Sequence, residues 1–166
     1  MANAKRILLA VDGAEASQKV TRYVADLMAG ANGLEVQMLH LELPPRMLEW
    51  GGSEDPQIED EVSRERADAY HQLEERRELK GQAVMDRMQS ILTRRGIAVT
   101  GRFVEFQEPL DADTITKAIL DAAKEHHCGT VVVGRKSFSG WQRLFRKQVA
   151  EELVRDGEGI AVWVVE

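Results

Sequence analysis

Three consecutive valines, Val131 to Val133, fenced by Gly129 and Gly134, restrict the fold of this chain more than any other stretch. So short an apolar run, with no polar residue to face water, suits a central strand of a parallel sheet buried on both faces. Comparable runs stand near the two ends, Arg6 to Val11 and Ile160 to Val165. Between such runs the apolar spacing becomes helical. Strands that alternate with helices predict crossover connections and a parallel sheet carrying helices on both faces.

Asp12-Gly13 closes the first run with a turn signal, after which Val20, Val24, Leu27 and Met28 share one helical face. Gly30 and Asn32-Gly33 stop that helix. Leu34, Val36, Met38, Leu39 and Leu41 form a second strand, ended by Pro44-Pro45. A loop with Trp50, Gly51, Gly52 and Pro56 leads into a long charged stretch, Gln57 to Arg95. Its second half carries a core-facing stripe of Val84, Met88, Ile91 and Leu92 and stops at Gly96. Its first half, Glu59 to Lys80, is mostly Glu and Arg, with pairs such as Glu61 and Arg64 that support an exposed helix. Gly81 between the halves reads as a break or kink.

Ile97 to Phe106 alternates as a third strand, and Asp113 to His127 reads as a helix with Ile115, Ala118, Ile119 and Ala122 inside. The valine strand follows, then a helix starting near Gly140 or Trp141 with Leu144, Val149 and Leu153 at core spacing. Asp156-Gly157-Glu158-Gly159 turns the chain into its last strand. The order β-α-β-α-β-α-β-α-β over 166 residues reads as one domain, 1–166, with a charged helical segment at about 57–80.

A net charge of -6 argues against a sequence-independent nucleic-acid binder, which neutralises many phosphates with Lys and Arg. Cys128 is the single cysteine, as expected of a protein in a reducing compartment, and the cytoplasm is the expected location. After Lys5 and Arg6 the apolar run is interrupted by Asp12, too soon for a signal peptide or a membrane span. A soluble chain with no membrane role is expected.

The whole arrangement resembles the universal stress protein family. RILLAVDGAEAS is similar to that family's first strand and turn, VQMLHLEL to its second strand, GTVVVGRKSFSG to its fourth strand and loop, and IAVWVVE to its last strand. The resemblance implies an α/β fold, a three-layer doubly wound sheet of five parallel strands in the order 3-2-1-4-5. It also implies a homodimer paired through the last strands, here Ile160 to Val165. Family members that bind nucleotide wrap the phosphates in a Gly-x2-Gly-x9-Gly-Ser/Thr loop, approach the ribose with an Asp after the first strand, and meet adenine with backbone at the end of the second. Those positions correspond to Asp12 for the sugar and Leu41 for the base.

In the loop the first glycine is Gly134, but the second position holds Ser137, the third Lys147 and the Ser/Thr position Gln148. Glycine there supplies positive φ and lets N–H groups approach an anion with no Cβ between. Two readings stand side by side. In one the phosphate cradle is lost and no cofactor is bound. In the other, Arg135, Lys136, Arg143 and Lys147 hold the phosphates of ATP or AMP with side-chain cations.

Asp12 itself suits a nucleotide contact, a metal ligand or a helix N-cap, and Ser17 a ligand contact or, more simply, an ordinary first-turn polar residue. His126, His127 and Cys128 are adjacent and so point apart, with no second cluster to complete a zinc site. His40 and His71 stand alone as structural or solvated residues. No paired nucleophile and base, HxGH motif, or Asp at the end of the third strand (Val104-Glu105-Phe106 stands there) is present to support an enzyme. The expected function is therefore a non-catalytic, dimeric stress-response or regulatory module with weakened or lost ATP binding. An ATP- or AMP-binding sensor, and a protein that docks a regulatory partner through its charged helix, are the alternatives.

Overall fold

A computed structural model describes residues 3–12, 15–42, 56–106, 111–135 and 143–166; the side chains at 15, 56–67, 70, 73–74, 77–78 and 143–147 are excepted. Five strands, β1 (Asn3–Val11), β2 (Glu35–Glu42), β3 (Ala98–Glu105), β4 (Cys128–Gly134) and β5 (Ala161–Val165), alternate with four helices. These are α1 (Glu15–Met28), α2 (Pro56–Thr93), α3 (Ala112–Glu125) and α4 (Arg143–Asp156). All four strand pairings are parallel, and the order across the sheet is β3-β2-β1-β4-β5.

Two of the continuous apolar runs are interior strands, β1 and β4, while the third, Ile160 to Val165, supplies the edge strand β5, where no residue is fully buried. Leu8 to Val11 in β1 and Val131 to Val133 in β4 are buried almost completely, because helices cover both faces of the sheet there. Alternate residues serve opposite cores. Leu8, Ala10, Leu39, Leu41, Val131 and Val133 pack with α3 and α4. Leu9, Val11, Val36, Met38 and Val132 pack with α1 and α2. Asp111 caps α3, its carboxylate accepting the Thr114 N–H at 2.8 Å.

Two expectations change. Leu27 is 54 % exposed, at the rim of α1 beside β5, while Ala25 is buried instead. Gly81 does not break α2, which runs through it as one helix of 38 residues. Gly81 is buried, and a Cβ there would stand 3.2 Å from His40 Cε1 and 3.4 Å from Phe103 Cε1. The absent side chain lets the helix rest on two rings, and that packing offsets glycine's intrinsic cost of about 1 kcal/mol in a helix. Among the described residues no helix is long and apolar enough to cross a membrane.

Candidate functional site

The chain leaves β1 towards β2 and β3 and later returns on the other side as β4 and β5, so the carboxyl ends of β1 and β4 border the crevice where open α/β sheets bind ligands. The register places the expected residues at one level there. Val11 pairs with His40 and Ala10 with Val133, so Asp12 stands beside Leu41 on one neighbouring strand and Arg135 on the other. Gly134 is the last, buried residue of β4. The Leu41 side chain is turned into the core beneath α3 and α4.

Asp12 is 8 % exposed and forms a closed pair with the fully buried Ser17. Its N–H donates to Ser17 Oγ at 3.0 Å, and the Ser17 hydroxyl donates to Asp12 Oδ1 at 2.6 Å. Thr21 then donates to the Ser17 carbonyl at 2.8 Å, so a line of buried polar groups ties the end of β1 to the first turns of α1. Ser17 is more than a first-turn polar residue, since its hydroxyl both accepts from and donates to Asp12; the i to i+5 spacing was the available signal.

Arg135 is exposed and bonded to the end of β5. Its N–H donates to the Val165 carbonyl at 2.7 Å, and its guanidinium forms an ion pair with Glu166, fastening the last residues of the chain to the end of β4. Lys147 and Gln148 occupy the fifth and sixth positions of α4, beyond the first turn whose N–H groups are free. Gln148 is exposed. Lys136 and Ser137 lie outside the described residues, as do the side chains of Arg143 and Lys147 and the expected helix start near residues 140–141.

His126, His127 and Cys128 diverge as adjacent residues must. His126 caps α3 and its carbonyl accepts from Arg6 at 3.0 Å. His127 has φ 54, and Cys128 is buried, its thiol pushed up to about 11 chiefly by that burial. Among the described residues no group of three His, Cys, Asp or Glu could hold a metal ion. A separate cavity of about 250 Å³ opens at the opposite, amino end of the strands, lined by residues that include Arg6, Glu35, Gln37 and His126.

The model of the universal stress protein family matches residues 3–165. The chain belongs to that family. A universal stress protein from Burkholderia pseudomallei superposes with a TM-score of 0.59 at 22 % identity, covering 98 % of this chain and 96 % of its own. The Archaeoglobus fulgidus universal stress protein in complex with dAMP gives 0.54 at 16 %, covering 97 % of each. A universal stress protein in complex with cAMP gives 0.56 at 14 %, covering 97 % of this chain and 96 % of its own. Likeness at these identities concerns the fold. No curated protein matches this universal stress protein at a significant level.

Proposed function

We propose that this universal stress protein is a non-catalytic, cytoplasmic, dimeric module for stress response or regulation, in which binding of ATP at the carboxyl end of the sheet is weakened or lost. The observation that carries the reading is the place of Lys147 and Gln148. Where nucleotide-binding relatives have Gly and Ser or Thr to cradle phosphate, this chain is already inside α4. The N–H groups of these two residues belong to the helix ladder, bonded one turn back, and each residue bears a Cβ. Arg135, which would have to serve as a substitute cation, is paired with Glu166. Two relatives are in complex with dAMP and with cAMP, yet at 16 % and 14 % identity that leaves this loop's chemistry to its own residues.

Calorimetric titration of nucleotide-stripped protein with ATP, ADP and AMP, with and without magnesium, is expected to show no binding in the micromolar range. The melting temperature is expected to stay unmoved in millimolar ATP. Micromolar binding that Asp12→Ala weakens would establish the ATP or AMP sensor instead.

The dimer rests on β5. It forms one edge of the sheet, and Trp163 and Val164 are 36 % and 38 % exposed on its two faces. An apolar edge strand left open is an aggregation hazard that pairing with a second copy removes. Because the Val165 carbonyl faces β4, where Arg135 donates to it, the Val164 N–H faces the free edge. Val164→Pro therefore removes an outward donor and leaves the bonds to β4 in place. Light scattering is expected to give the dimer mass for the wild type and the monomer mass for the variant; a dimer that survives the proline would refute pairing through β5.

A further inference from the structure

The long helix α2 meets the sheet along a stripe of buried residues, Gly81, Met85, Met88 and Leu92. Gly81 is the first of them; between Asp68 and Lys80 every described side chain of the helix is exposed. The contact at Gly81 is tight and made of two rings. His40 of β2 and Phe103 of β3 are register partners packed edge to face, centroids 5.0 Å apart at 75°, and both reach within 3.4 Å of where a Gly81 Cβ would be. His40 is 3 % exposed, and its Nδ1 is buried without a hydrogen-bond partner among the described residues. A neutral imidazole fits such a place. An imidazolium brings a net charge and N–H groups on both ring nitrogens to a position where Nδ1 has no acceptor.

We infer that His40 is a proton-sensitive latch, whose protonation releases α2 from the sheet at Gly81 so that the helix opens from that end as the pH falls below neutral.

The described ionisable groups around this junction are few. Asp12 ends the neighbouring β1, with its carboxylate on Ser17. Glu42 lies two residues on in β2, its Oε2 3.4 Å from the Gly81 Cβ position, and its register partner in β3 is Glu105. From α2, Lys80 is exposed, and from α1 so are Lys19, Arg22 and Asp26. The Asp12 charge favours the imidazolium, but burial opposes it and is the larger effect, so His40 titrates below its ordinary 6.5. The closed state thus has its full stability above pH 6.5 and loses it as the pH falls from there towards the depressed value. In that window the open population rises by about tenfold per pH unit, the slope for one proton. The inference is independent of whether nucleotide binds.

Hydrogen exchange on the full chain at about pH 7.5 and about pH 5.5, corrected for intrinsic amide chemistry, tests it. Opening of residues 78–86 is expected to increase at the lower pH, by at most about tenfold for one proton, with α3 little changed, and the increase is expected to vanish in His40→Leu. No increase in the wild type, or the same increase in the variant, would overturn the latch. Should His40→Leu fail to fold, the His40 Cε1–H resonance of the wild type decides. A midpoint at or above 6.5 refutes the latch, and one below 6.5 supports it only if exchange at residues 78–86 rises over the same pH range.

Discussion

Gly129→Ala is expected to destabilise the protein by about 3 kcal/mol, at the upper end of overpacking substitutions, a loss readable as a lower urea midpoint with an unchanged slope. A Cβ at this position would lie 2.8 Å from the Asn3 carbonyl oxygen, 2.9 Å from its carbon and 3.0 Å from Ala4 Cα. These are backbone atoms of β1, which cannot rotate aside as a side-chain tip would. They also lie where the pairing of β1 with β4 shifts register between Asn3 and Ile7, and where Asn3 donates to the His127 carbonyl at 2.8 Å. Relief therefore requires the first residues of β1 to lift away from β4, losing that bond. A loss below about 1 kcal/mol would mean that the start of β1 is only loosely held, contrary to the close approach described.

Leu9→Ala is expected to cost about 3–4 kcal/mol and to lower the melting temperature by about 6–16 °C. Leu9 is fully buried in the middle strand, with Met38 and Val132 as its register partners on either side. Its neighbours are fixed by two ladders of backbone hydrogen bonds, so the vacated volume has little freedom to collapse, and the cavity adds to the lost transfer energy. Leu79→Ala provides the comparison: the same atoms removed from a side chain 74 % exposed are expected to change stability by less than about 0.5 kcal/mol. Similar losses at the two positions would contradict the placement of the core.

The parallel sheet was legible because Leu8 to Val11 and Val131 to Val133 lack any polar alternation, as strands covered on both faces do, although the same pattern in Ala161–Val165 belongs to an edge strand. The stripe of α2 was read nearly in register, but Met85 was missed and Gly81 misjudged. Local propensity counts glycine as a loss, whereas the gain arises from His40 and Phe103, residues 41 and 22 positions away in sequence. At the candidate site, Asp12, Leu41 and Gly134 fell where strand endings put them. The pairing of Arg135 with Glu166 was not legible, because Glu166 lies 31 residues on and is recognisable as a partner only once β5 is laid beside β4. A cation in a loop looks the same in sequence whether it awaits a phosphate or already holds a carboxylate.

The length of α2 has a hydrodynamic consequence. At about 1.5 Å per residue its 38 residues reach roughly 57 Å, longer than the roughly 40 Å breadth expected of a compact domain of this size. Such a rod raises friction without adding mass, so the protein is expected to pass through a sizing column ahead of a sphere of 18.6 kDa. An early elution peak would therefore mimic self-association even in a monomer, and subunit number in this family member has to be read from scattered light or sedimentation equilibrium rather than from elution volume.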